Sequence, residues 1–143
     1  MNLVRVIYIS DATTKVVDSE LAELIARASG NNETLGITGL LIYSGGHFLQ
    51  VLEGETLRLN SLFSRIVADP RHTKVRQLLS KPTESRLFPD WGMQLVNANE
   101  SAPLDRERID KTLLRIRVSQ ADAASDAISL MNEFRSQFKA PAA

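Results

Sequence analysis

The chain has 143 residues, which suits one domain with a small appendage. Hydrophobic residues make up 43% and charged residues 24%, so a packed core can form without staples. Seventeen basic against 17 acidic residues give a formal net charge of zero, which does not support a general electrostatic grip on nucleic acid or an anionic membrane, and the absence of cysteine removes disulfides, thiolate metal sites and a cysteine nucleophile.

The opening stretch MNLVRVIYIS carries Arg5 inside its apolar run and is too short for a signal peptide or a membrane span, so it reads as a strand over residues 3–10. Val4, Val6, Tyr8 and Ser10 share one face of that strand; Leu3, Arg5, Ile7 and Ile9 share the other. DATTK follows as a loop. Asp18 or Ser19 can cap a helix whose apolar stripe is Leu21, Leu24, Ile25 and Ala28, and the helix should end near residues 30–32. In GITGLLIYSGGHFLQVLEG two β-rich runs flank SGGH, and Gly45 and Gly46 supply the positive φ of a tight hairpin. A second helix carries Leu59, Leu62, Phe63, Ile66 and Val67 and stops at ADPRH, because Pro70 disfavours its continuation. Weaker strands follow at about residues 75–82 and 91–96.

The order β-α-β-β-α-β-β, closed by about residue 97, is the ferredoxin-like pattern of an α+β fold. Right-handed crossovers place both helices on one face of the sheet. Beyond it, NANESAPLDRER reads as a polar linker, and Ile109, Leu113 and Ile116 mark a short helix. Ser119 with Asp122 resembles a capping box with Asp in place of the usual Glu. Behind it, Ala124, Ala127, Ile128, Met131, Phe134 and Phe138 form a helical stripe that either covers the bare face of the sheet or pairs with a partner chain. The terminal KAPAA should fray.

Gln50 stands out within GHFLQVLEG. Phe48, Gln50 and Leu52 share one strand face, and Leu49 and Val51 share the other. A primary amide among apolar neighbours is costly unless hydrogen-bonded. In a ferredoxin-like sheet the strands carrying Tyr8 and Gln50 are central neighbours, and a phenol and an amide can each donate and accept. The bland reading is a satisfied core pair. Asn31 and Asn32 come next: one Asn suffices for a left-handed helix end, and the second leaves a spare amide able to read the edge of a planar heterocycle. Arg65, Asp69, Arg71 and His72 gather at the end of the second helix, where they either answer its dipole or form the polar rim of a ligand site. His47 and His72 lack partners at zinc-like spacing, and LGITGLL fits neither the dinucleotide fingerprint nor the P-loop. FPDWGMQ places Trp91 and Met93 on one strand face, ordinary core packing if taken alone.

Taken together, RVIYIS with Tyr8, NNETLGITGLLIYSGGHFLQVLEG with Asn31, Asn32 and Gln50, RIVADPRH, and FPDWGMQ with Trp91 and Met93 resemble the BLUF domains, blue-light sensors using flavin, over about residues 2–97. The likeness is to the short, stand-alone type. It implies a ferredoxin-like fold holding a flavin noncovalently between the two helices, usually FAD, with FMN as the alternative. It implies Tyr8 as electron and proton donor, Gln50 as the bridge between Tyr8 and the flavin, and Asn31 and Asn32 on the pyrimidine edge. Phe48 joins the cofactor-binding set, and Arg65, Asp69, Arg71 and His72 line the rim near the ring and ribityl chain. Trp91 and Met93 belong to the signalling strand, and either can be the one facing the flavin. Pro70 falls at a variable position and can reshape the rim loop. The protein so implied is a cytoplasmic, non-enzymatic photoreceptor, with residues 1–97 as sensor domain and 98–143 as a C-terminal helical cap. It signals to an unidentified protein, with no nucleic acid or membrane partner and homo-oligomerisation left open. Two rivals stand beside it. A ferredoxin-like enzyme of the acylphosphatase type needs an anion-binding loop after the first strand, and SDATTKVVD has no glycine and carries two acids. A flavin-free interaction module is the other.

Overall fold

The computed structural model describes residues 2–14, 17–89 and 92–135; Trp91 and Phe138 lie outside the described residues. Five strands, β1 (Leu3–Ala12), β2 (Thr38–Ser44), β3 (His47–Glu55), β4 (His72–Thr83) and β5 (Gln94–Asn97), form one sheet in the order β4-β1-β3-β2-β5. β1 runs antiparallel to β3 and β4, β2 antiparallel to β3, and β5 parallel to β2 at the edge. This is the ferredoxin-like α+β arrangement with one added strand. The runs VIYI, LLIY and LQVL are apolar at successive positions because both faces of these central strands are covered. Gly45 (φ 55°) and Gly46 (φ 84°) make the two-residue hairpin turn that the sequence predicts.

Period-two alternation divides the core. Val4, Val6, Tyr8, Leu41, Tyr43, Phe48 and Leu52 face the layer formed by α1 (Asp18–Leu35) and α2 (Thr56–Ala68). Ile7, Ile9, Leu40, Ile42, Leu49 and Val51 face the layer formed by α3 (Pro103–Val118) and α4 (Ala123–Arg135). The C-terminal helices therefore cover the second face of the sheet, through Ile109, Leu113 and Ile116 of α3 and Ala127, Leu130, Met131 and Phe134 of α4. We expect Leu113→Ala to cost about 2–5 kcal/mol of stability, from lost burial plus the cavity left behind. Urea unfolding should show it as a lower midpoint with an unchanged slope.

Several boundaries differ from the sequence-based expectations. α1 continues past residues 30–32 to Leu35, because Gly36 (φ 68°) takes the left-handed turn and donates its N–H to the carbonyls of Asn32 and Glu33. Asn31 and Asn32 therefore lie in the last turns of the helix and cap nothing. Val17 precedes α1 without a capping side chain; Asp18 is the first helical residue, and its carboxylate accepts from Asn97 Nδ2 at 2.8 Å. Val67, 51% exposed, is off the α2 stripe. β4 begins at His72, and β5 begins only at Gln94, so Met93 lies just before a strand. The expected linker is partly ordered: a 3-10 turn spans Ala98–Glu100, and Pro103 opens α3 at a position where its missing N–H has no intrahelical partner to lose. The capping box does not form. Ser119 ends α3 and accepts from the Ala121 N–H, while the Asp122 carbonyl starts α4 by accepting from Asp126 N–H at 2.8 Å.

Candidate functional site

Tyr8 and Gln50 stand directly opposite each other in the β1–β3 register, on the face turned toward α1 and α2. Both are buried, at 1% and 7% exposure. The Tyr8 hydroxyl donates to Gln50 Oε1. At its other end the amide donates from Nε2 to the Met93 sulfur at 3.3 Å. A thioether is a weak acceptor, so this amide is held more firmly by Tyr8 than by Met93. One of its N–H groups has the sulfur as partner, which leaves a second donor and a second lone pair for whatever lies beside it.

What lies beside it is a cavity of about 580 Å³ between the two helices and the sheet, a size typical of small-molecule sites. Tyr8, Asn31, Asn32, Phe48, Gln50, Arg65, Asp69, Arg71 and His72, all expected from the sequence, border it. Apolar flanks come from Leu24, Ile25 and Ala28 on α1 and Leu62 and Ile66 on α2. These positions carry the helical apolar stripes, yet they are only half-buried, because they face the cavity instead of the sheet. The two asparagines differ. Asn31 is exposed at the mouth, whereas Asn32 is buried and donates from Nδ2 to the Gly92 carbonyl at 2.8 Å. Gly92 approaches α1 so closely that a Cβ there would sit 2.4 Å from the Ser29 carbonyl oxygen. Sequence reasoning missed this clamp. A glycine between Trp91 and Met93 is its only local signal.

The electrostatics follow from burial and from one ion pair. Tyr8 sits well above the ordinary phenol range because it is buried, with the Asp69 charge adding to the effect. Asp69 is pulled down to about 2, chiefly by the hydrogen bonds of Arg71, whose guanidinium reaches it at 2.6 Å. His72 is pushed down by burial; Asp69 opposes that shift and Arg71 reinforces it. Its Nδ1 lies 3.1 Å from Ser10 Oγ, and its ring packs on Phe48. The site thus presents a neutral phenol and an amide at its inner wall, with the His72 imidazole and the charges toward the rim. Because the Asp69 pKa is depressed in the fold, its pairing stabilises the protein above the ordinary value of 3.8 and is lost as pH falls toward about 2. The rim is solvent-screened, so the contribution is under about 1 kcal/mol. Asp69→Asn should lower stability by that amount at neutral pH, and the difference should shrink below pH 3.8 and vanish as pH falls through about 2, measured by chemical denaturation.

Among the described residues, no cluster of three or more His, Cys, Asp or Glu could hold a metal ion. His47 faces away from the cavity, paired with Asp11 at 2.7 Å. Among the described residues, no helix is long and apolar enough to cross a membrane.

Comparison with known proteins agrees with this geometry. The family described as "BLUF: Sensors of blue-light using FAD" matches residues 3–94. The chain is 38% identical over 95 residues to photoactivated adenylate cyclase subunit beta of Euglena gracilis, a match covering 65% of this chain and 11% of that protein. It therefore spans about a tenth of that relative's length, 11%. Among solved structures, BlrB, a BLUF protein in its dark state, superposes with a TM-score of 0.78 at 28% identity, covering 96% of this chain and 98% of BlrB. A bacterial light-regulated adenylyl cyclase superposes with a TM-score of 0.75 at 31% identity, covering 92% of this chain and 39% of its own. With a match over residues 3–94 and a fold and cavity of this kind, the chain belongs to the BLUF family of blue-light sensors using FAD.

Proposed function

We propose that this chain is a blue-light photoreceptor that binds FAD noncovalently in the cavity between α1 and α2, and that Tyr8 and Gln50 carry its photochemistry. The observation that carries this reading is the buried Tyr8–Gln50–Met93 chain at the inner wall of that cavity. The donor set suits the group. Apolar side chains of α1 and α2 would flank a planar ring, and the spare N–H of Gln50 with the amides of Asn31 and Asn32 would meet its heteroatom edge. Phe48 would close the inner end, and Arg65, Asp69, Arg71 and His72 would hold the ribityl chain and the rim.

A bound flavin supplies absorption of blue light and, once excited, an oxidant strong enough to draw on a neutral phenol. Tyr8 yields an electron and its hydroxyl proton. Because burial and Asp69 keep that phenol neutral, the proton leaves only with the electron. Gln50 carries the proton through its amide, and both electron and proton then return to Tyr8, so nothing is oxidised over a full cycle. Gln50 is left rotated or tautomerised, with a new set of partners. In the dark arrangement its N–H meets the sulfur; after rotation its carbonyl would face that sulfur, which cannot donate. Met93 is therefore the residue that registers the change. Two such arrangements separated by only a few kcal/mol form a bistable element.

In this reading residues 1–97 are the sensor domain and 98–143 the helical cap, the protein is not an enzyme, and it works in the cytoplasm. Its output is contact with a signalling protein, without nucleic acid or membrane, and a second copy of the chain is an alternative partner. The test is an absorption spectrum before and after blue light. Purified protein should be yellow, with a reversible red shift on illumination. Colourless protein after reconstitution with flavin would overturn the reading. Chromatography of the acid-released cofactor separates FAD from FMN.

A further inference from the structure

Glu53 lies on β3, the strand of Gln50, with its side chain on the opposite face and 0% exposed. Its carboxylate accepts the Arg5 Nε–H at 2.9 Å. It also accepts two adjacent backbone N–H groups, from Leu87 at 2.9 and 3.0 Å and from Phe88 at 2.9 Å. Arg5 extends the cluster to Thr83 Oγ1 and the Ser85 carbonyl, both at 3.3 Å. Arg86 binds the same stretch back to the sheet by donating to Thr38 Oγ1 and to the carbonyls of Glu53 and Gly36. The chain leaving β4 is thus tied to β3 by a buried ion pair and its hydrogen bonds.

A buried ion pair is weak grounds for stability, since apolar residues of similar volume often serve as well. What this one fixes is position. Two consecutive amides meet one carboxylate in only one register, and charge-assisted bonds of this kind are the strong ones. Downstream, Asn32 holds the Gly92 carbonyl against α1, and the next residue, Met93, meets Gln50. Phe88, five residues before Met93 in the chain, is therefore held from Gln50's own strand, and Gly92, directly before Met93, from the helix that lines the cavity.

We propose that Glu53 is a positioning residue for the Gln50 switch: by fixing the Leu87 and Phe88 amides it sets where the Met93 sulfur meets Gln50 Nε2. This rests on the role proposed for Gln50 above and deepens it. Glu53 is not among the residues bordering the cavity, and its carboxylate acts through the Leu87 and Phe88 amides that it anchors.

A double-mutant cycle on the flavin-loaded protein tests it, with Glu53→Gln, Met93→Ala and the pair. One readout needs no light: the Gln50 side-chain amide resonances in dark, 15N-labelled protein. The other is the lifetime of the lit state. Glu53→Gln should move the Gln50 amide resonances and change the lifetime about threefold or more, as expected for coupled neighbours. In the Met93→Ala background the same substitution should leave both unchanged. Equal effects in the two backgrounds, or none in either, overturn the proposal. Should Glu53→Gln fail to fold, Arg5→Lys enters the same cycle with the same criteria, because it keeps the charge and loses the guanidinium fork. A wild type without any light response would remove the photoreceptor reading, while the dark amide resonances would still decide the role of Glu53.

Discussion

Gln50→Leu should keep its flavin and lose the light-induced red shift. Leucine is close to glutamine in volume but has no amide, so the apolar flanks on α1 and α2 still receive the ring while the inner wall loses the side chain that is hydrogen-bonded to both Tyr8 and Met93. In the proposed mechanism light leaves the Gln50 amide with a new set of hydrogen-bond partners, which we take as the source of the red shift, and without that amide no such change can occur. The substitution also strands the Tyr8 hydroxyl, a buried donor that loses its acceptor, at a cost of about 1–3 kcal/mol. The check is a difference spectrum, lit minus dark, on protein whose flavin content has been measured. A normal shift in this variant would remove Gln50 from the mechanism.

Tyr8→Phe should abolish the normal photocycle by a different route. Phenylalanine preserves the ring and its packing on Phe63, whose centroid lies 5.4 Å away, so the fold and the cavity wall survive. What is lost is the hydroxyl, which supplies the proton and makes the ring a usable electron donor. Gln50 also loses the donor to its carbonyl, leaving Met93 as its one side-chain hydrogen-bond partner among the described residues and its dark orientation less defined. Transient absorption should show an excited flavin that decays without forming the red-shifted product. An unchanged cycle would count against Tyr8 as donor. The two variants separate donor from switch: Tyr8→Phe removes the electron source and leaves the amide, whereas Gln50→Leu does the reverse.

Much of the architecture was legible in the chain itself. Alternation along residues 3–10 put Tyr8 with Val4 and Val6, alternation along residues 47–55 put Gln50 with Phe48 and Leu52, and the glycine pair at 45 and 46 fixed the register of the β2–β3 hairpin. These are period-two and turn signals, carried by neighbours in sequence. The rim residues Arg65, Asp69, Arg71 and His72 were equally local, since they follow one another around a helix end. The end of α1 was less legible. Asn31 and Asn32 are as compatible with a cap as with a helical turn, and Gly36, with nothing near its Cβ position and a left-handed φ of 68°, settled the matter. Among the described residues the last strand begins later than expected, because there only Gln94–Asn97 finds a partner in β2.

The sequence by itself determined the order of elements, which residues share a face within each strand, and the hairpin between β2 and β3, because each depends on spacing along a strand or at a turn. Tertiary structure alone decided that α3 and α4 cover the second face, that Met93 meets the Gln50 amide, that Asn32 spends a donor on Gly92, and that Glu53 holds the Leu87 and Phe88 amides. Each of these joins groups distant along the chain, and an acid, an amide or a thioether has no spacing that names its partner. Only the packing of the sheet against its two helical layers brings them within hydrogen-bonding distance.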